Sequence, residues 1–312
     1  MMAPDSVIVI VGPTASGKSD LALRIAEEVG GEIVNADSMQ VYRGMDIGTA
    51  KPGAEERARV PHHLLDCVDP DEPFSAADFR TLADAAVVGI AARGKIPIVA
   101  GGTGLYIRAL LGGLIDSPAG DDHLRARLKE VAAQEGKEGL LARLAAVDPA
   151  SAAVLHPNDQ VRIIRALEIT YATGVPASQL RAGHHFGDER YRSLKIGLSP
   201  PRDLLYRRIE DRVDAMVAAG LEAEVRHLLQ RGYGRDLKAM RGIGYKEMAA
   251  FLAGETTFAE AVGLMKRDTR RYAKRQLTWF KKDVYIKWFE STPNSANIFS
   301  IVMNFLEGEG YG

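Results

Sequence analysis

The sequence predicts an α/β fold: a parallel sheet flanked by helices and interrupted by an all-helical insertion. Three observations predict it. A β-branched run, "VIVIV" (Val7 to Val11), leads at once into a glycine-rich turn and a helical segment, the order of a strand–loop–helix unit. Two further strand-like stretches, "GEIVNAD" (31–37) and "KIPIVAGG" (95–102), are separated by helical sequence, and strands joined through helices build parallel sheets. From about residue 121 to 181 the periodicity is helical and no strand pattern occurs.

The first element ends in Gly12, Pro13, Thr14, Ala15, Ser16, Gly17, Lys18 and Ser19, the spacing of a P-loop. The backbone N–H groups of such a loop point inward, and the helix that starts near Lys18 favours an anion at its N-terminus. Lys18 can reach outer phosphates, and the Ser19 hydroxyl can ligate Mg²⁺. The sheet is therefore P-loop NTPase-like, and its ligands belong at the C-terminal ends of its strands. The second strand ends there in Asp37. Ser38, Met39, Gln40 and Tyr42 follow, a set of hydrogen-bonding and aromatic groups around one carboxylate that suits a base edge. The segment 74–94 reads as a helix with Ser75 as N-cap and Gly94 as its stop. The third strand runs into Gly101, Gly102, Thr103 and Gly104, a turn that brings backbone close to another group at the same edge.

Residues 1–115 and 190–290 are expected to form this α/β core, with 116–189 as the insertion. "LKIGLSP" (194–200) returns the chain to the sheet. One helix precedes Gly220, another follows it, and a last helix spans about 258–280. The tail, 291–312, is expected to be partly loose. The formal net charge is -1, so any nucleic-acid surface must be local. Between Arg235 and Lys287 thirteen Lys or Arg face six Asp or Glu, a local basic surplus suited to phosphate contact. The one cysteine, Cys67, excludes a disulfide framework within the chain and reads as a packed residue. The N-terminal segment shows no signal-peptide pattern. No apolar run approaches membrane-spanning length, and a cytoplasmic location is expected.

The motifs "GPTASGKS", "NADSMQVYRGMDIGTAKP", "PHHLLDCVDP", "GGTGLY", "QVRIIRALE", "RGIGYKE" and "RRYAKRQLTWF" occur in this order, and in them the chain resembles the tRNA dimethylallyltransferases, also called tRNA isopentenyltransferases. The resemblance covers roughly residues 6–289; the zinc-finger extension of eukaryotic members is absent. It implies a P-loop that holds dimethylallyl diphosphate with Mg²⁺ as cofactor. It also implies transfer of the prenyl group to N6 of adenosine-37, just 3′ of the anticodon, in tRNAs reading U-starting codons. Asp37 would be the general base. Lys18, Thr14, Arg208 and Arg212 would assist the leaving diphosphate. The tRNA contacts implied are Asp37, Ser38, Met39 and Gln40, then Thr103 and Arg125, then Val161, Arg162, Ile163, Ile164 and Arg165. A last group is Arg241, Gly242, Ile243, Gly244, Tyr245 and Lys246. Val161 stands where some members have Gln. The partners expected are the anticodon stem-loop and the prenyl donor, for a monomer without membrane attachment. Two other enzymatic readings stay open on the residues alone: prenylation of a free adenine nucleotide, and an ATP-binding small-molecule P-loop kinase.

Overall fold

The computed structural model describes residues 6–115, 120–183, 190–290 and 295–308. The chain divides into two compact units, Met1–Leu111 with Glu189–Gly312 and, separately, Gly112–Asp188. In chain order the elements are β1 (Ser6–Val11), α1 (Lys18–Val29), β2 (Glu32–Asn35), α2 (Ala54–Arg59), β3 (His62–His63), α3 (Ala76–Ala92), β4 (Pro97–Gly101) and α4 (Gly104–Gly112). Then come α5 (Asp122–Val147), α6 (Pro149–Val154), α7 (Gln160–Thr173) and α8 (Ala177–Gly183). The chain ends with β5 (Arg192–Leu198), α9 (Arg202–Ala218), α10 (Leu221–Gln230), α11 (Tyr245–Leu252), α12 (Phe258–Phe280), β6 (Lys287–Phe289) and α13 (Ser295–Glu307).

The sheet order is β3-β2-β4-β1-β5-β6, and every pairing is parallel. The period-2 geometry of β1 sorts its side chains between two layers. Val7, Val9 and Val11 join a cluster with Phe79, Val87 and Ile90 of α3. Ile8 and Ile10 point the other way, to Leu21 and Ile25 of α1 and to Ile298, Val302 and Phe305 of α13. A strand buried on both faces needs apolar residues without alternation, which is why its sequence is a continuous run. Ser75 caps α3 as expected, its hydroxyl accepting from Ala77 and Asp78 N–H while the Asp78 carboxylate accepts from Ser75 N–H.

Two differences from the sequence reading have physical causes. The edge strands β3 and β6 have two and three residues, too short for a period to register. The tail expected to be partly loose contains α13, whose apolar face covers the outer side of β1 through Ile298, Val302 and Phe305; residues 291–294 and 309–312 lie outside the described residues. The helical unit has its own core of Leu128, Leu140, Leu144, Ile163 and Leu167. Within it α5 is broken at Gly136, which takes φ 78°. Asp148 joins two of its helices: the carboxylate accepts from the Ser151 hydroxyl at 2.5 Å, from Ser151 N–H at 3.0 Å and from Ser178 N–H at 2.9 Å. Burial pushes the carboxyl up, and the hydrogen bonds, the Ser151 hydroxyl's first, outweigh it and hold the carboxyl down at about 2. No helix among the described residues is long and apolar enough to cross a membrane.

Candidate active site

The C-terminal edge of the sheet carries a cleft of about 330 Å³, lined from the loops after β1, β2 and β4 and from α9, α11 and α12. The loop from Gly12 to Gly17 turns the chain from β1 into α1, with Ala15 and Gly17 in the left-handed region. Thr14, Lys18 and Ser19 reach the cleft, while Gly12, Pro13, Ala15, Ser16 and Gly17 supply the curved backbone. Lys18 Nζ donates to Pro13 O at 3.3 Å. Its ammonium is depressed to about 8, first by burial and then by the Arg212 charge, with Asp37 pulling the other way. Burial likewise disfavours the Arg212 charge, and Asp37 and Asp20 oppose that. Two cations and one carboxylate thus share a single field.

Asp37 lies just beyond β2. Its Oδ1 accepts from Met39 N–H at 2.8 Å, a local turn that fixes the carboxylate's orientation. Ser38 N–H donates to Thr103 Oγ1 at 3.0 Å, so Thr103 stands behind this turn. Gln40 is buried, and its Nε2 donates to Thr49 O at 3.0 Å and Ala50 O at 3.1 Å. The amide nitrogen therefore shapes the following loop, and Gln40 meets the cleft beside Met39.

The α9 face contributes Ile209, Arg212, Val213 and Met216, spaced i, i+3, i+4 and i+7. Arg208, one turn before Arg212, is not among the lining residues. Arg241, Gly242, Ile243 and Tyr245 line the cleft. Tyr245 is fully buried, and its hydroxyl donates to Glu224 Oε1 at 2.6 Å. The same carboxylate accepts the backbone N–H groups of Asp46, Ile47 and Gly48 at 2.8–3.1 Å. Tyr245 is thereby a support for the wall rather than a free hydroxyl. Gly244 N–H donates to Glu247 at 2.8 Å as the cap of α11, and Lys246 pairs with Asp268 at 3.0 Å.

In the helical unit, Asp159 caps α7 by accepting from Arg162 N–H. Val161 and Arg162 are exposed, whereas Ile163 and Ile164 are buried in that unit's core. Helical periodicity turns the two isoleucines inward, so of the five residues only Val161, Arg162 and Arg165 present side chains to solvent. Arg125 Nε lies 3.0 Å and Arg165 Nη1 3.5 Å from the carboxylate of buried Glu168. These two arginines neutralise a buried charge as well as facing solvent.

Of the cleft residues that sequence reading missed, Ile209, Val213 and Met216 lie on α9 and a larger group lies on α12. Met265, Thr269, Tyr272 and Gln276 line the cleft at spacings of four, three and four, one helical face. That period is present in "MKRDTRRYAKRQ" but is masked by the basic residues between. The two glycines that follow β4, Gly102 and Gly104, also have an explanation that the sequence lacked. A Cβ at Gly102 would sit 2.1 Å from Gln276 Nε2, and one at Gly104 would sit 2.1 Å from the Trp279 ring. What the backbone approaches at these two glycines is α12, whereas Gly101, the last residue of β4, lies against the Ala36 carbonyl. Trp279 packs against the core with Arg108 over its ring at 5.2 Å.

The chain matches the IPP transferase family over residues 40–283 and the isopentenyl transferase family over residues 5–66. It is 61% identical over 299 residues to tRNA dimethylallyltransferase 2 of Geotalea uraniireducens, covering 96% of each chain. To tRNA dimethylallyltransferase 2 of Geotalea daltonii it is 59% identical over 301 residues, covering 96% of this chain and 92% of the relative. Among solved structures, the tRNA isopentenylpyrophosphate transferase of Bacillus halodurans matches with a TM-score of 0.72 at 43% identity, over 97% of this chain and 96% of that one. A eukaryotic dimethylallyltransferase acting on tRNA matches with a TM-score of 0.84 at 30% identity, over 98% of this chain and 80% of that one. A parallel sheet with a glycine-rich first loop of P-loop spacing, a carboxylate just beyond the second strand and this extent of identity place the chain in the IPP transferase family.

Proposed function

We propose that the protein transfers the dimethylallyl group of dimethylallyl diphosphate to N6 of the adenosine just 3′ of the anticodon in tRNA, releasing diphosphate. The observation that carries this reading is that Lys18, Arg212 and Asp37 share one cleft, so an anionic leaving group and a proton acceptor meet at one place. The diphosphate lies on the loop after β1. The allylic C–O bond breaks, the carbon joins the adenine N6, and the N6 proton passes to Asp37. Charge building on the leaving oxygen is stabilised by Lys18, Arg212 and the loop N–H groups, which are fixed before the reaction. Mg²⁺, when bound, neutralises diphosphate charge further. Among the described residues no group of three or more His, Cys, Asp or Glu gathers as a metal cage. A Mg²⁺ carried on diphosphate needs only one or two protein donors, and Ser19 at the cleft fits that need.

Incubation of the enzyme with tRNA, dimethylallyl diphosphate and Mg²⁺, followed by mass spectrometry of the nucleosides, is expected to reveal N6-(dimethylallyl)adenosine. Equal turnover on AMP and on an anticodon stem-loop would move the assignment to a free nucleotide. Transfer of labelled γ-phosphate from ATP would replace it with a kinase.

Donor affinity is expected to weaken as pH rises through about 8. Lys18 titrates at about 8 in the free protein, and bound diphosphate favours its ammonium, so above that pH binding must take up a proton. Calorimetry in buffers of different ionisation enthalpy would detect the uptake; proton-independent binding from about pH 7 to 9.5 would remove Lys18 from the contact.

RNA affinity is expected to fall with salt. Arg162 and Arg241 are exposed, and replacing either with Ala should flatten the slope of log K against log salt by about one. Arg125 and Arg165 are poorer probes, since their loss also strands Glu168. A slope unchanged in both Arg162→Ala and Arg241→Ala would assign these arginines to the protein's own surface.

A further inference from the structure

The loop after β1 and the turn after β2 are not neighbours in the sheet. β4 runs between their strands, so the spacing of diphosphate site and proton acceptor depends on what crosses β4. The Gln276 side chain, almost wholly buried, makes one half of that crossing. Its Oε1 accepts from Thr14 N–H at 2.9 Å, and its Nε2 donates to Gly102 O at 3.0 Å. Thr103, next in the chain, makes the other half by accepting from Ser38 N–H at 3.0 Å. Thr103 N–H also donates to Ala36 O at 3.2 Å. The three loops are thus stitched in the order β1, β4, β2, with α12 holding the first stitch.

From this we infer that Gln276 is a positioning residue, resting on the transferase reading above, which fixes the distance between the diphosphate-holding loop and Asp37. A neutral amide is the group that both accepts from one backbone N–H and donates to another backbone carbonyl. A carboxylate offers only acceptors and would face Gly102 O with a lone pair; a thioether offers neither function at useful strength. The absence of a side chain at Gly102 completes the fit, since a Cβ there would overlap the amide nitrogen. Nothing in this arrangement requires Gln276 to touch substrate. Its loss should leave both substrates bound and misplace them relative to each other, and a misplacement of about 1 Å costs on the order of 10²-fold in rate.

The test compares wild type, Gln276→Met, Gln276→Glu and Thr103→Val in single turnover with both substrates saturating, alongside donor Kd, tRNA Kd and Tm. Gln276→Met is expected to be slower by about 10²-fold, with donor and tRNA Kd within threefold of wild type. In Gln276→Glu the protonated acid can again donate to Gly102 O, so its rate relative to wild type should climb as pH falls, while the Gln276→Met ratio stays flat. If Gln276→Met does not fold, Thr103→Val breaks the other stitch and, at saturating tRNA, should lose rate with donor Kd still within threefold of wild type. Wild-type rates in Gln276→Met or in Thr103→Val would overturn the inference, as would a loss accounted for by weaker donor binding. Inactive wild-type enzyme would instead overturn the transferase reading beneath it.

Discussion

Asp37→Asn is expected to bind both substrates and turn over about 10²–10⁴-fold more slowly, a loss of roughly 3–5 kcal/mol in barrier height. The amide is nearly isosteric. Its oxygen can still accept from Met39 N–H, now made at 2.8 Å, so the turn keeps its shape. What the amide lacks is a site for the adenine N6 proton at neutral pH. In the proposed reaction the diphosphate lies on the loop after β1 and not on this turn. RNA affinity comes largely from phosphate contacts, which the proposed binding mode places at other residues, such as Arg162 and Arg241. The opposing account makes Asp37 a Mg²⁺ ligand. The two separate in a Mg²⁺ titration of single-turnover rate and donor Kd. A slow rate with normal donor Kd and no rescue supports the base; weak donor binding restored by Mg²⁺ sinks it.

Lys18→Ala is expected to impair donor binding and chemistry together, by about 2–4 kcal/mol in kcat/KM for the donor. The ammonium is depressed chiefly by burial and next by Arg212, which means that the empty site already carries a cost for this charge. A diphosphate relieves that cost on binding, and the benefit grows as charge moves to the leaving oxygen. Removing the amine therefore also lets Arg212 sit more easily in the empty cleft, which limits the loss to less than the full worth of a charge-assisted contact. The variant should in addition lose the pH dependence of donor Kd near 8. An unchanged kcat/KM for the donor would reject the loop after β1 as the diphosphate site.

How much of this was legible in the sequence differs from residue to residue. The P-loop spacing is local: glycines, lysine and serine at fixed offsets between a strand and a helix, so eight consecutive residues contain the whole argument. Asp37 was legible as a cleft residue because the chain just beyond a strand's C-terminal end lies at the ligand edge of a parallel sheet. The Ser75 cap and the break at Gly220 were legible for the same local reason. Gln276 was not, because its partners Thr14 and Gly102 lie 262 and 174 residues away, and nothing in "KRQLTW" says which side of the helix meets them. Ile163 and Ile164 were read with their arginine neighbours as one RNA-contacting stretch, and the helix period divides that stretch between core and surface.

By itself, then, the sequence determined the parallel α/β class, the glycine-rich loop between β1 and α1, the carboxylate beside it and the helical character of the insertion, since each depends on spacing within a few turns or one strand. Only the tertiary structure decided which face of α12 closes the cleft, that Tyr245 supports the wall through Glu224, and that the tail folds as α13 over β1. It also decided that the glycines after β4 make room for Gln276 and Trp279. Those outcomes depend on contacts between segments far apart in the chain, where close packing selects one arrangement among many that the same local pattern permits.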